Sequence, residues 1–330
     1  MTGGPDVRAR RIDIDWNPDY SVFASEPFLR AVGDEYGWLG GFDQAGRLLC
    51  ILPYTIVQKA AFRLVRFRVE TIAVGAGPSL DEERSFLNAA MDYFRSIGAD
   101  TVIPATTNAI FRTYPDGADA APYGSYVIDL TQPEEALWRN VDKGVRNEIS
   151  QARKKGVTVR SGPEFCDAAY SLIAETFART KVRFMGREPF MRYVDGLGGN
   201  AMILEASCEG APQSYMVLAF SRHSAYSVYV GNVAGQQRGA NKLLYWESIR
   251  LCRELGVRRY DFVGARINPE KGSKQANINF LKKHLGGNLI EGYMWKYSLR
   301  PLRSIPYNLA VRLLKGGDIV DRERNKLCRE

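Results

Sequence analysis

Six cationic side chains lie between residues 143 and 160, in the segment KGVRNEISQARKKGVTVR, and Glu148 is the single acid among them. Positive charge at this density favours an anionic ligand, such as RNA or a phosphate-bearing nucleotide. Basic residues near the end of a helix also stabilise the helix without any ligand, because they complement its negative end. The pattern alone leaves both interpretations open.

Few other residues have the types and spacing that catalysis requires. Asp261 follows Tyr260 at the end of a predicted strand, where it could orient or deprotonate an attacking amine. A buried aspartate more commonly holds a loop through backbone hydrogen bonds. His223 and His284 are isolated, and the chain has no GxSxG motif, so neither a metal site nor covalent catalysis is predicted. Attack by a neutral amine on an activated ester needs mainly positioning.

Composition predicts a folded protein of two domains. The chain has 330 residues, of which 45% are hydrophobic and 25% charged. Its net charge of +8 favours anionic partners without choosing among them. The five cysteines are scattered and form no CxxC pair, which is typical of the reducing cytoplasm. We find neither a signal peptide nor a run approaching the ~20 apolar residues of a membrane span.

Two parts of the chain repeat one order of elements. Residues 37–57 and 201–220 each predict a β-hairpin, and a glycine-containing loop, an amphipathic helix and a strand follow in both. A shift of 158 residues superposes Gly77 on Gly235 and Gly98 on Gly256. The later glycine of each copy lies where a helix ends in a left-handed residue. We therefore predict an internal duplication, with two mixed α/β domains in tandem.

The predicted domains are residues 1–136 and 161–300, followed by a helical tail over residues 301–330. A basic helix and strand over residues 137–160 join the two domains. Apolar residues at helical spacing predict one continuous helix that ends before Gly156, with these residues on its buried face: Trp138, Val141, Val145, Ile149 and Ala152.

A cleft is expected where two domains meet, and the joining helix would border it. The charge imbalance of this segment and its expected position together favour anion binding over simple helix capping. We assign Arg146, Lys154 and Lys155 to the rim of that site.

Three segments together resemble the hallmark pattern of the Fem-type aminoacyltransferases, from about Trp138 to Tyr297. They are a tryptophan-bearing helix that continues into ISQARKKGVTV, the segment ANKLLYWESIRLCRELGVRRYDFVGA, and INFLKKHLGGN. The resemblance implies two domains similar to the general N-acetyltransferase (GNAT) fold. It also implies metal-free transfer of an amino acid from aminoacyl-tRNA to an amine, in peptidoglycan precursors or antibiotic assembly. No heptad stretch is present, so the chain is similar to the members without a coiled-coil arm.

By this resemblance Leu281-Lys282 stands where the family has Phe-Lys, two residues before the Phe-Gly-Gly pattern. The implied role of Lys282 is to stabilise charge near the reacting carbonyl. Leu281 departs from the family's aromatic residue, and Phe280, one position earlier, is the candidate to compensate. The other interpretation of Lys282 is a solvated helix residue.

Acyl-CoA enzymes of this fold have a phosphate-binding turn where this chain has GNVAGQQRGANK, residues 231–242. The turn is degenerate here, which favours a donor other than CoA. Exposed amides at the start of the following helix could still hold a phosphate of either donor. The donor-binding candidates in this turn are Asn232, Arg238, Gly239 and Asn241.

A second basic region, residues 175–193, interleaves arginines with phenylalanines. Such a mixture suits a phosphorylated or nucleotide-bearing acceptor, although a mobile basic loop has the same composition. The acceptor-binding candidates are Arg179, Arg183 and Arg187.

The tail carries Leu302, Ile305, Leu309 and Leu313 along one side of a basic helix. It could complete the protein core or lie on an anionic membrane surface. Core docking is the prediction, because terminal helices commonly complete a core.

The sequence thus predicts a cytoplasmic, monomeric aminoacyltransferase that uses charged tRNA and a small-molecule or peptide amine, without metal or other cofactor. An acyl-CoA-dependent N-acyltransferase is the alternative. A binding protein that has lost its chemistry is the third interpretation.

Overall fold

The computed structural model describes residues 6–180 and 182–327. The ends of the predicted first domain and tail, residues 1–5 and 328–330, lie outside the described residues, as does Lys181. The strands are β1 (Arg8–Ile12), β2 (Glu35–Phe42), β3 (Leu48–Lys59), β4 (Phe62–Phe67), β5 (Ile72–Ala73), β6 (Thr101–Val102), β7 (Asp119–Asp129), β8 (Val157–Ser161), β9 (Ala201–Cys208), β10 (Ala211–Phe220), β11 (Ala225–Asn232), β12 (Arg259–Asp261) and β13 (Asn288–Ser298). The α-helices are α1 (Glu26–Val32), α2 (Leu80–Ser96), α3 (Glu134–Asn140), α4 (Lys143–Lys154), α5 (Cys166–Ala178), α6 (Arg187–Leu197), α7 (Ala240–Glu254), α8 (Lys274–His284), α9 (Pro301–Lys315) and α10 (Ile319–Leu327).

The chain divides into two compact units. Within the described residues, the first unit comprises 6–16, 23–124 and 291–327, and the second comprises 17–22 and 125–290. These boundaries differ from the predicted ones. The end of β7 pairs with β12 and so belongs to the second unit, whereas the end of β13 pairs with β6 and returns the chain to the first unit.

The predicted connector over residues 137–160 is therefore part of the second unit. Its apolar residues Val145, Ile149 and Ala152 are buried in that unit's main hydrophobic cluster. A segment whose apolar side chains complete a core cannot act as a separate linker, because their removal would leave a cavity.

Both units contain a mixed sheet with the same sequence of pairings among six strands, and in the first unit the short strand β5 also pairs with β3. The first has the order β1-β2-β3-β4-β6-β13, and only the β4/β6 pair is parallel. The second has the order β8-β9-β10-β11-β12-β7, and only the β11/β12 pair is parallel. In each unit one helix, α2 or α7, makes the crossover between the parallel strands. The predicted tandem of mixed α/β domains is confirmed.

The glycines that revealed the duplication have matching backbone conformations. Gly77 and Gly235 have φ values of 72° and 73°, and Gly98 and Gly256 have φ values of 81° and 73°. A left-handed residue after a helix is accessible to glycine at little cost, because glycine lacks a Cβ. Gly98 and Gly256 lie directly after the capping residues of α2 and α7, as predicted.

The predicted continuous helix over residues 138–152 is wrong, because the chain forms α3 and α4 with a break between them. Val141 is extended at the break, with φ −70° and ψ 133°. Asp142 then caps α4, and its side chain accepts hydrogen bonds from the backbone N–H groups of Gly144 and Val145. Aspartate competes well for this position because its carboxylate satisfies N–H groups that the first helical turn leaves unpaired. The predicted helix end before Gly156 and the following strand are confirmed.

The predicted docking of the tail is only partly correct. Val320 of α10 is buried in a small cluster of the first unit. The four aliphatic side chains predicted to dock from α9 are instead between 55% and 87% exposed: Leu302, Ile305, Leu309 and Leu313.

The Asp142 cap yields a test of the break. Asp142→Ala should lower the free energy of unfolding by about 1 kcal/mol, measured by urea denaturation, because two helix N–H groups lose their acceptor. Asp142→Asn retains a capping oxygen and should stay within about 0.5 kcal/mol of wild type. Equal stability of the alanine and asparagine variants would contradict the role given to this cap.

Candidate functional site

Lys282 is a buried lysine that lies against the loop following β12. It is 6% exposed, and its Nζ donates hydrogen bonds to the carbonyl oxygens of Val263, at 2.9 Å, and Gly264. Val263 and Gly264 both have positive φ, at 56° and 73°. Two consecutive left-handed residues are unusual, and one of them is β-branched, so the loop conformation needs support from its surroundings.

Asp261 supplies much of that support. Its Oδ1 accepts hydrogen bonds from the Ser125 hydroxyl and from the Val263 backbone N–H, and its Oδ2 accepts a bond of 2.6 Å from Arg259. The side chain is fully buried. These contacts give Asp261 the role of a buried carboxylate that holds a loop, which is the commoner of the two interpretations given above, and its catalytic role stays a prediction.

Burial also changes the protonation of Lys282. Removal from water disfavours the charged form and lowers the pKa of Lys282 from 10.5 to about 8, while the charge of Asp261 opposes this shift. At neutral pH the side chain is thus a buried ammonium group whose charge is lost at a lower pH than that of an ordinary lysine.

The loop begins where two strands separate. β11 runs to Asn232, but its pairing with β12 ends at Tyr226 and Asp261. Val263 and Gly264 continue the chain immediately beyond that pairing. The carbonyls that bind Lys282 therefore lie at the point where the parallel strands diverge.

A cavity of about 460 Å³ brings together five of the predicted donor-binding residues. It is lined by residues of α4, of the turn before α7, and of one face of α8. The predicted residues among them are Arg238, Gly239, Asn241, Phe280 and Leu281. Asn232 is not among the lining residues but lies next to the cavity, because its Oδ1 accepts a hydrogen bond of 3.0 Å from Asn241.

The exposed aromatic face in this cavity belongs to Phe280. Its ring is 61% exposed and stacks on the His284 ring, with centroids 3.7 Å apart. Leu281 is only partly exposed and packs against the core. Phe280, one position before the place of the family's aromatic residue, thus presents an aromatic face to the cavity. It is the residue that we named as the candidate to compensate for Leu281.

Glu148 and Lys242 also line the cavity, and we did not predict either as a site residue. The Glu148 carboxylate accepts hydrogen bonds from Lys242 at 2.5 Å and from Arg238 at 3.2 Å. Burial raises the pKa of Glu148, but these two cations outweigh burial and hold the pKa below its usual range. The sequence did contain a signal for Glu148. It is the single acid among the six cations of residues 143–160, and an acid in a basic segment is a candidate ion-pair partner.

The basic rim residues have different surroundings. Lys155 lines a second cavity of about 410 Å³, which also contains Glu148, Gln237 and Arg238. Lys154 is exposed and lines neither cavity. The Arg146 guanidinium donates to the carbonyls of Trp138 and Arg139 and so braces the α3–α4 break. It lines neither cavity, and its donor contact stays a prediction.

The three predicted acceptor-binding arginines do not converge. Arg179 caps the end of α5 and donates to the Asn232 carbonyl. Arg187 pairs with Asp167 in the first turn of the same helix, and Arg183 is exposed. A helix of this length separates its two ends by about 18 Å, so a single phosphate cannot contact both Arg179 and Arg187.

Within residues 6–180 and 182–327, no group of three or more His, Cys, Asp or Glu side chains is placed to hold a metal ion. In the same residues, no helix is both long enough and apolar enough to cross a membrane.

Comparison with known proteins agrees with this architecture. Residues 139–271 match the family model of an acetyltransferase (GNAT) domain. The chain is similar to the crystal structure of FemX, with a TM-score of 0.67 and 13% identity, over 90% of this chain and 99% of that one. No match was found among curated protein sequences.

Two further solved structures show a similar fold. One is the C-terminal domain of a putative lysylphosphatidylglycerol synthetase from Agrobacterium fabrum, with a TM-score of 0.52 and 14% identity, over 82% of this chain and 86% of that one. The other is a tandem GNAT protein from the clavulanic acid biosynthesis pathway, with a TM-score of 0.50 and 14% identity, over 90% and 99%.

The chain therefore has the Fem-type, tandem GNAT-like fold that its sequence predicted, and its matched domain is that of an acyltransferase. The match ends before α8, so Lys282 and Phe280 lie outside it.

Gly239 provides a test of how the cavity is built. Its φ is +87°, and a Cβ there would overlap the Glu148 carbonyl oxygen, whereas Gly235, at φ +73°, has open space around it. Gly235→Ala should destabilise the protein by about 1–2 kcal/mol through backbone strain alone. Gly239→Ala should cost more, because α4 must also move, and urea denaturation of both variants measures the difference. Equal losses of stability in Gly235→Ala and Gly239→Ala would show that the turn is not packed tightly on α4.

Proposed function

We propose that this protein is an aminoacyltransferase that transfers an amino acid from aminoacyl-tRNA to the amine of a small molecule or peptide precursor. The observation that carries the proposal is the two-sided role of α8: it buries the Lys282 ammonium against a strained loop and exposes Phe280 beside a cavity lined with cations. A peptidoglycan precursor and an antibiotic-type product are both acceptors consistent with the Fem-type resemblance.

In the reaction, the neutral amine attacks the ester carbonyl of the charged tRNA. A C–N bond forms, the C–O bond to the terminal ribose breaks, and the proton lost by the amine is taken up by the leaving ribose oxygen. An ammonium group has three N–H donors, and two of those on Lys282 are directed at the loop carbonyls. We assign the third to the oxygen that becomes negative in the transition state.

The cavity suits the end of a nucleic acid. Phe280 offers a stacking surface for a base, and stacking is tolerant of base identity because every base has a π-face. Arg238 and Lys242 supply positive charge, while Lys155 extends it along the second cavity. The proposed donor site thus comprises the turn before α7 and the exposed face of α8.

Glu148 argues against a donor held mainly by its pyrophosphate. Its carboxylate is already ion-paired with Arg238 and Lys242, the two cations of the segment 231–242, where acyl-CoA enzymes of this fold bind phosphate. An acyl-CoA donor would have to displace that carboxylate or approach beside it. Acyl-CoA remains the second candidate because the matched domain is an acetyltransferase domain and the turn keeps Gly239 at the start of α7.

We further propose that the reaction takes place in the cytoplasm, with a monomeric enzyme and without metal or other cofactor. We do not assign the acceptor site to the three predicted arginines as one set, because Arg179 follows the last residue of α5 whereas the Arg187 side chain, from the start of α6, reaches the first turn of α5.

Lys282→Ala should lower kcat/KM by about ten- to thousandfold, the range for loss of one preorganised transition-state donor. Because burial lowers the pKa of Lys282 to about 8, its ammonium form is lost above that pH, and wild-type kcat/KM should fall as pH rises through about 8. The falling limb should be missing from the residual activity of Lys282→Ala. Lys283→Ala, at the exposed neighbouring lysine, is the control and should behave as wild type. An unchanged rate in Lys282→Ala would remove this residue from the reaction.

The donor is tested by supplying charged tRNA or acyl-CoA and measuring amide product with and without RNase. Product from charged tRNA that RNase abolishes supports the proposal; RNase-resistant product from acyl-CoA would replace it with the second candidate. Binding of charged tRNA without turnover of either donor would indicate a protein that has lost its chemistry.

Charge reversal at Lys154 and Lys155 should weaken tRNA binding and reduce the slope of log K against log salt by roughly 1 to 2 units, since two phosphate contacts are lost. Charge reversal at Arg8 and Lys59, which are exposed in the first unit, is the matched control. An unchanged slope in the Lys154/Lys155 variant would restore the helix-capping interpretation of this segment.

A further inference from the structure

Helix α9 of the first unit turns mainly polar side chains toward the protein and apolar side chains toward solvent. Ser304, Tyr307, Asn308 and Val311 form the row at helical spacing that is buried or partly buried, and three of these four residues are polar. The opposite row consists of Leu302, Ile305, Leu309 and Leu313, which are 87%, 61%, 55% and 78% exposed. A surface helix normally has the opposite arrangement.

The reversed orientation is held by specific polar contacts. The Ser304 hydroxyl donates 2.8 Å to the Asp100 carbonyl, and Arg303 donates 2.6 Å to the Ala61 carbonyl while forming an ion pair with the Asp100 carboxylate. The Tyr307 ring packs on the Phe62 ring with centroids 5.6 Å apart. Rotating α9 to bury its leucines would break these contacts, so the helix is fixed with its apolar row outward.

The charges on α9 are all positive. Its charged residues are Arg303, Arg312 and Lys315, and it has no acid. With 100° per residue, Arg303 lies on one side of the leucine row and Arg312 on the other. The nearby acids Asp318 and Asp321 are engaged by Lys296, at 3.0 Å and 2.6 Å. Arg312 also lies 4.0 Å from the Asp321 carboxylate, but its side chain is 70% exposed and still presents its charge to solvent.

We infer that the exposed leucine row of α9 is a docking surface for an anionic lipid bilayer, with α9 lying in the plane of the membrane surface. An apolar row beside an exposed cation is the pattern of an interfacial helix, because the leucines enter the acyl boundary while the 70% exposed Arg312 reaches the headgroups. Arg303 remains engaged by Asp100 and Ala61 and holds the helix in this orientation. Two copies of this face packed on each other would bring like charges together on both sides of the row, which disfavours a self-associated dimer. This surface does not depend on the proposed transfer reaction.

The test is co-flotation of the purified full chain with vesicles of phosphatidylcholine alone or of phosphatidylcholine containing phosphatidylglycerol. We expect binding to the anionic vesicles, much weaker binding to the neutral ones, and loss of binding as salt is raised. Leu309→Glu should reduce partition to anionic vesicles by about tenfold or more, since it places a charge in the apolar row.

Leu80→Glu is the matched control. Leu80 is 54% exposed against 55% for Leu309, and it lies on α2 of the same unit. This control should bind as wild type, and circular dichroism with urea denaturation should show both variants folded. Absence of binding to anionic vesicles, or equal binding by Leu309→Glu, would overturn the inference. A dimer in lipid-free buffer that dissociates in Leu309→Glu would also overturn it and assign the face to a second copy of the chain.

Discussion

The arrangement of the second unit depends on one buried ammonium group and the two carbonyl oxygens that it holds. Lys282 binds the Val263 and Gly264 carbonyls, and the loop that carries them is itself held by the buried carboxylate of Asp261. Removing a charged partner from such a network leaves polar groups buried without compensation, which is costly. The loop, the end of β12 and helix α8 are therefore fixed relative to one another within that unit, and α8 in turn positions the cavity face.

A second constraint is the close approach of the turn before α7 to α4. Gly239 allows this approach because any Cβ would meet the Glu148 carbonyl, and the Glu148 side chain then binds Arg238 and Lys242. Glu148 thus shapes the cavity through both its backbone carbonyl and its side-chain carboxylate. A site that is basic in sequence becomes one in which a single acid balances two cations, and this balance distinguishes it from a simple phosphate cradle.

Much of the fold was predictable because it is encoded in local turn and helix-end chemistry. The glycines at 77, 98, 235 and 256 require left-handed backbone conformations, and their register revealed the duplication that the two sheets display. Five of the donor-binding candidates also line one cavity. The sequence could not distinguish a chemical from a supporting role for Asp261 and Arg146, because a charged residue type indicates either one until its partners are known.

The sequence by itself determined the tandem mixed α/β architecture, the hairpins, and the helix ends at Gly98, Gly156 and Gly256. These features follow from side-chain periodicity and from backbone preferences that act over a few residues. Only the tertiary structure decided that the helix breaks at Val141, that Lys282 is buried, and that the leucines of α9 point outward. The burial of Lys282 and the orientation of α9 depend on partners distant in the chain, the carbonyls of Val263 and Asp100, and at the break the Asp142 backbone N–H donates to the distant His284 carbonyl. A local pattern contains no information about which distant groups will compete for a donor.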